Sequence, residues 1–347
     1  MQLKDAPQKP SEKKRYLELD VLRGLAAISV VLFHYTYGYY YVDKSNLANP
    51  SGFLFTYGRM GVQLFFMISG FVILMTLYKA KNLREFIISR FSRLYPTYWA
   101  CIILAVLFYY ILNVPFQKDM YSWGQIVINF TMIQKLFKVK DLDGAYWTLF
   151  IELVFYFWMG FIYKVNQLKN IFWIAIFWNV LAILFAVIAI PMGQYFELLL
   201  ILKFAPFFIG GIGFFLLLKN KDSLKIHFLI LFSFSTSILL VIKNPLGFDI
   251  NEAIIIGVLF SVMYLFVYEK LLFMVWKPLL FLGGISYPLY LIHENIGFGI
   301  IYWLSRSLNQ ISYILITIIL IGFIAFLISK YIEKPSQKLL RDYFRKR

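Results

Sequence analysis

The sequence predicts an all-α polytopic membrane protein of about ten transmembrane helices with both termini cytoplasmic, and three observations predict it. The first is composition. Of 347 residues, 61% are hydrophobic and 20% aromatic, with a mean hydropathy of +0.72. A soluble domain is about 45–50% apolar, so the excess needs lipid to cover it. The second is the division of the apolar residues into separate runs of bilayer length, and the third is the alternation of basic residues between those runs.

The first run, 20–40, follows a polar, basic stretch (MQLKDAPQKPSEKKR). No small-residue cleavage signature follows it, so it reads as a retained signal anchor. The others fall near 60–78, 96–114, 146–163, 171–190, 197–218, 226–242, 250–268, 279–304 and 310–331. Segment 121–133 (YSWGQIVINFTMI) is short and amphipathic, which suits an interfacial or re-entrant position rather than a span. Ten is even, which puts both termini on one side. Between alternate spans, 24 Lys and Arg lie on the side of the termini and 8 on the other, with Arg23 and Lys203 inside spans. Positive residues collect on the cytoplasmic face, so the asymmetry sets the orientation. It also accounts for most of the net charge of +16 without nucleic acid. The chain divides into a basic cytoplasmic tail (1–15), a transmembrane domain (16–338) and a second basic tail (339–347).

Other classes lack their marks. The single cysteine, Cys101, lies in an apolar run, so no disulfide framework supports the fold. There is no P-loop, dinucleotide glycine fingerprint, metal-type Cys/His cluster or internal repeat.

Ionisable residues inside spans are costly and mark function by default. In "LDVLRGLAAISVVLFHY" Arg23 and His34 are eleven residues apart. Eleven residues turn a helix about 1,100°, within roughly 20° of three turns, and rise about 16 Å. The two side chains therefore share one stripe, with Arg23 near the inner face and His34 in the outer half. Asp20 lies on the same face as Arg23 and within pairing reach. Spacing alone also fits a snorkelling arginine and a histidine bonded to a neighbouring helix. By the same topology Glu152, Lys203, His293 and Glu294 fall in the outer half with His34, while Arg23, Arg84, Arg90 and Arg93 gather at the inner face. Glu152 and Lys203 fit either a structural ion pair or a site, and His293 either helix–helix hydrogen bonding or a site. Five such groups at similar depth argue for one polar cavity. His227, at the start of the seventh run, reads as interfacial, and "YIEKPSQ" as a helix end at the inner surface.

These residues resemble membrane-bound acyltransferase family 3 over about Tyr16 to Lys338. "LELDVLRGLAAISVVLFHY" matches its arginine–ten residues–histidine signature (Arg23, His34). "GRMGVQLFFMISGFVI" matches its second-helix motif (Ser69, Gly70, Phe71). "SRFSRLYPTYW" matches the basic start of its third helix (Arg90, Arg93, Tyr95, Pro96), and "AYWTLFIELVFY" its Trp-Ser/Thr-Leu…Glu segment (Trp147, Glu152). "ISYPLYLIHENI" matches a Ser-Tyr…Tyr-Leu-x-His segment (Ser286, Tyr287, His293), and "IEKP" its terminal motif (Glu333, Lys334, Pro335). One such match is weak; six in order are strong.

The resemblance implies an O-acyltransferase of the cell inner (cytoplasmic) membrane, moving an acyl, usually acetyl, group. The donor would be cytoplasmic acyl-CoA (acetyl-CoA), and the acceptor a hydroxyl of a cell-surface glycan or lipid-linked sugar. Some family members carry an appended extracytoplasmic domain; the chain ends at Arg347 without one, which leads to the expectation of a separate extracytoplasmic partner protein. On this layout Arg23, Arg90 and Arg93, with Arg84 less favoured, bind the CoA phosphates. His34 is the general base, the side chain best suited to accept a hydroxyl proton near neutral pH. Glu152 and His293 complete the catalytic set, Glu152 orienting or polarising a histidine. Ser69, Lys203 and Tyr287 are oxyanion or acceptor contacts. A covalent acyl-His34 or acyl-Ser69 intermediate and direct transfer both remain open, and no metal is required. The competing class is a multi-pass transporter or flippase of a glycan or lipid precursor, which buried charges and Gly-rich spans such as "GGIG" (Gly210, Gly211, Gly213) also fit.

Overall fold

The computed structural model describes residues 16–42, 53–114, 121–188, 193–244 and 248–345. The basic tail at 1–15, with Lys44, Lys118, Lys346 and Arg347, lies outside the described residues. Among those described, the chain is helical without a strand. The helices are α1 (Leu17–Phe33), α2 (Tyr39–Val42), α3 (Gly61–Lys79), α4 (Leu83–Leu112), α5 (Trp123–Asn129), α6 (Trp147–Lys164), α7 (Ile171–Ile188), α8 (Gly193–Leu199), α9 (Ala205–Lys219), α10 (Leu224–Ile242), α11 (Ile250–Val267), α12 (Lys277–Ile292), α13 (Asn295–Leu304), α14 (Gln310–Ile328) and α15 (Lys334–Arg345). Seven helical stretches among the described residues are long and apolar enough to cross a membrane, so the chain is a multi-pass membrane protein.

Three predicted runs take other shapes, and each departure positions a functional group. The first passes through a wide π-type turn at His34–Gly38 between α1 and α2. The sixth splits at a turn around Ile201, whose φ is 48°, leaving α8 and the shorter α9. The ninth breaks at His293 and Glu294, between α12 and α13. The third run is longer than expected. Its helix begins at Leu83, where the Asn82 side chain accepts from Glu85 N at 2.9 Å, so Arg84, Arg90 and Arg93 ride on α4 rather than on a loop. The helix expected to end at "YIEKPSQ" does not end there either: α14 turns widely through Ser329–Glu333 into α15. Pro335 has no N–H to donate, and it falls just past the wide turn, where the regular helical bonding is already interrupted.

Two backbone approaches hold the bundle together. A Cβ on Gly283 would lie 2.1 Å from the Asp20 carbonyl oxygen, so α1 and α12 touch backbone to backbone. A Cβ on Gly211 would lie 1.9 Å from the Met67 oxygen, and one on Gly70 2.0 Å from the Phe208 oxygen, which does the same for α3 and α9. Small residues at such crossings supply the close packing that replaces a hydrophobic driving force in lipid. "GGIG" thus has a packing role at Gly211.

Segment 121–146 folds against α4. Tyr98 donates to Asn129 O at 2.9 Å and Trp99 to Phe130 O at 2.9 Å. Buried Asn129 accepts from Leu142 N at 3.0 Å and donates to Lys140 O at 3.0 Å. α5 inside this segment is only seven residues long.

Candidate active site

The α1–α12 contact brings two histidines together. His34 Nδ1 lies 3.1 Å from His293 Nε2 and 3.0 Å from Val30 O. His293 Nδ1 lies 2.8 Å from Tyr290 O. A carbonyl only accepts, so His293 carries its proton on Nδ1 and offers a lone pair at Nε2. His34 Nδ1 then faces two acceptors and must carry a proton of its own. In the neutral imidazole that leaves the lone pair on His34 Nε2. Glu294 Oε2 stands 3.5 Å from this nitrogen, placed to pair with the ring once it gains a proton. The arrangement is a proton acceptor whose tautomer is set by a second, fully buried histidine.

The helix break that aims His293 and Glu294 is held from outside the span. Asp143 Oδ2 accepts from Asn295 N at 3.0 Å and Oδ1 from Ala145 N at 3.0 Å, so two backbone donors left by the helix starts are satisfied. Asn295 also donates through Nδ2 to Leu142 O at 2.6 Å and Tyr121 Oη at 3.0 Å. Burial first, then the neighbouring Glu294 carboxylate, pushes the Asp143 carboxyl up to about 8. Tyr35 donates to His293 O at 2.9 Å from the α1 side.

A second polar centre is a cavity lined by Arg23, Arg90 and Arg93 together with Ser69, Glu152 and Tyr287. Glu152 Oε1 accepts from Ser69 Oγ at 3.0 Å and Tyr156 Oη at 2.5 Å. Arg90 is buried, and its Nε has no hydrogen-bond partner among the described residues. A buried guanidinium donor left unpaired beside a cavity suits an anion that enters it. Tyr287 donates to Leu94 O at 2.9 Å, so its hydroxyl proton, like that of Ser69, is already engaged.

Tyr290 stands between the two centres. It lines the arginine cavity, shares a 2.9 Å hydrogen bond with Thr148 Oγ1, and supplies the carbonyl that fixes His293. Its ring centroid is 5.5 Å from that of His293.

The predicted site residues therefore divide. Arg23, Ser69, Arg90, Arg93, Glu152 and Tyr287 share the cavity, while His34 and His293 form the pair beyond Tyr290 with Glu294. The expectation of one cavity for the five outer-half groups gives way to two centres, with Glu152 in the one lined by the arginines. Lys203 joins neither: it sits exposed in the turn after α8, its ammonium 5.9 Å from the Phe204 ring. Arg84 is exposed beside Phe344. His227 bonds Lys221 O at 3.1 Å and Tyr264 Oη at 3.2 Å, away from both centres. Sequence reasoning missed Asp143, Thr148, Tyr156, Tyr290 and Asn295. Tyr156 lies one helical turn after Glu152, and Tyr290 three residues before His293, so helical spacing was the available signal for both. For Asp143 there was none.

With the geometry described, the chain can be set beside known proteins. The profile of acyltransferase family 3, described as an acyltransferase domain, matches residues 16–331. ORF330 of Acidianus two-tailed virus, which bears the name of an acetyltransferase, is 22% identical over 281 residues, covering 78% of this chain and 80% of that protein. Acyltransferase MdmB of Streptomyces mycarofaciens is 23% identical over 174 residues, covering 48% of this chain and 44% of that protein. No solved structure matches.

Proposed function

The chain belongs to this acyltransferase family and is an O-acyltransferase; on that premise we propose that it moves an acyl group, acetyl first, from cytoplasmic acyl-CoA to a hydroxyl of a cell-surface glycan or lipid-linked sugar. The observation that carries this reading is the pairing of the two centres. An arginine-lined cavity with an unpaired buried Arg90 donor suits a phosphate-bearing donor, and Tyr290, which lines that cavity, bonds through its carbonyl to His293, the partner of the His34 ring whose Nε2 lone pair suits a base. Arg23 and His34 are about 16 Å apart along the helix axis, comparable to the reach of a pantetheine arm. Ten spans with both termini cytoplasmic, in an inner (cytoplasmic) membrane, put the arginines on the donor's side; the excess of 24 over 8 basic residues supports that orientation.

In this reading the acceptor hydroxyl gives its proton to His34 Nε2 as its oxygen bonds to the thioester carbonyl carbon. The imidazolium that forms pairs with Glu294. The carbon–sulfur bond then breaks, and the departing thiolate takes the proton from His34 to leave as free CoA. His293 keeps Nε2, rather than Nδ1, as the accepting nitrogen. Glu152, holding Ser69 and Tyr156, shapes the cavity wall along which the thioester lies.

The test is His34→Ala in purified, folded protein, with free CoA measured as it is released from acetyl-CoA in the presence of a sugar acceptor. General-base catalysis contributes about 10²–10⁴-fold, so turnover should fall by that order. Undiminished release would remove His34 from the chemistry.

A further inference from the structure

We propose that His34, His293 and Glu294 also form a binding site for a divalent transition cation of the zinc class, and that the bound cation silences acyl transfer. The three side chains offer one ligand atom each, all within 4.8 Å of one another. Two imidazoles and a carboxylate are the donor set that zinc-class ions take. Bonds of about 2.0–2.1 Å in tetrahedral geometry set donor atoms roughly 3.3–3.5 Å apart. His34 Nε2 and Glu294 Oε2 are already 3.5 Å apart.

Two further observations point to a cation rather than to a chance grouping. Glu294 Oε2 is buried and has no hydrogen-bond partner among the described residues. Its carboxylate occupies the space left by Gly144, where a Cβ would lie 2.2 Å from Oε1. His293 donates Nδ1–H to a backbone carbonyl, the outer-shell bond that ligating histidines make; its Nε2 lone pair, which here accepts from His34 Nδ1 at 3.1 Å, would leave that hydrogen bond for the cation. A fourth position is reachable, because the His34 and Glu294 side chains keep 19% and 16% of their exposure. That leaves room for water, as in open zinc sites.

The silencing part rests on the reading of His34 as the base. One lone pair cannot hold both a metal and a proton. A cation on His34 Nε2 therefore occupies the accepting atom, and it draws Glu294 away from stabilising the imidazolium.

The experiment titrates Co²⁺ into detergent-purified, tag-free protein and follows the visible ligand-field bands of four-coordinate cobalt, with Zn²⁺ as competitor. One equivalent should bind, Zn²⁺ should displace it, and Glu294→Gln and His293→Gln should each weaken binding at least tenfold. His227→Gln should bind like the parent. Thermal melts guard against unfolded variants: Zn²⁺ should raise the Tm of the parent by mass action and leave that of Glu294→Gln unmoved. Zn²⁺ at saturation should abolish CoA release, and a chelator should restore it. Absent cobalt bands, or bands indifferent to Glu294→Gln and His293→Gln, would overturn the site while leaving His34 as base untouched. Binding at this site with full turnover would instead overturn the silencing, and the base reading with it.

Discussion

Replacing His293 by alanine should slow transfer without touching donor affinity. The side chain makes two hydrogen bonds, 2.8 Å to Tyr290 O and 3.1 Å from His34 Nδ1. Only the second acts on the base, and Val30 O, 3.0 Å from the same nitrogen, partly replaces it. One neutral hydrogen bond is worth about 0.5–1.5 kcal/mol, and each 1.36 kcal/mol is tenfold in rate, so kcat should fall about 2- to 13-fold. KM for acyl-CoA should hold, because the arginine cavity lies on the other side of Tyr290. Stability should drop by about 1–3 kcal/mol for the orphaned Tyr290 carbonyl, so a thermal melt accompanies the assay. The decisive comparison is the double variant. If His293 works through His34, His34→Ala with His293→Ala should be no slower than His34→Ala alone. Steady-state CoA release from the four proteins gives the cycle. Fully additive losses would refute the positioning role.

Three other outcomes follow from the geometry. Arg90→Ala removes the buried donor beside the cavity; at about 1.5–3 kcal/mol per charge-assisted hydrogen bond, KM for acyl-CoA should rise by roughly one to two decades, with acceptor dependence unchanged in initial-rate kinetics. Asp143→Ala strips the acceptor from two backbone donors, Ala145 N and Asn295 N, at about 1–3 kcal/mol each, so Tm in detergent should fall and Glu294 should lose its setting. Gly283→Val drives a side chain into the Asp20 carbonyl and should cost about 1–3 kcal/mol by overpacking, read as a lower Tm; an equal Tm would deny the close α1–α12 contact.

Much of this protein was legible before its fold. Apolar runs, basic asymmetry and ionisable residues inside spans each report local chemistry that a chain cannot hide, and they located Arg23, His34, Arg90, Arg93, Glu152 and His293. What they could not report is which of those groups meet. Lys203 reads as buried because "LLLILKFAPFFIGG" is apolar throughout, yet Ile201 at φ 48° unwinds the chain and turns Lys203 outward. Glu152 and His34 sit at similar depth in a topology count, yet Tyr290 divides their centres.

By itself, then, the sequence determined that the chain lives in a membrane and which side chains are too costly in lipid to lack a purpose. Those properties follow from transfer free energies and helical period, which act residue by residue. Tertiary structure alone decided that two histidines share a proton network, that Asp143 clamps the break beside Glu294, and that a tyrosine stands between the arginines and the histidine pair. Such contacts join residues more than a hundred positions apart, across glycine-to-carbonyl approaches and a broken helix that no local period encodes.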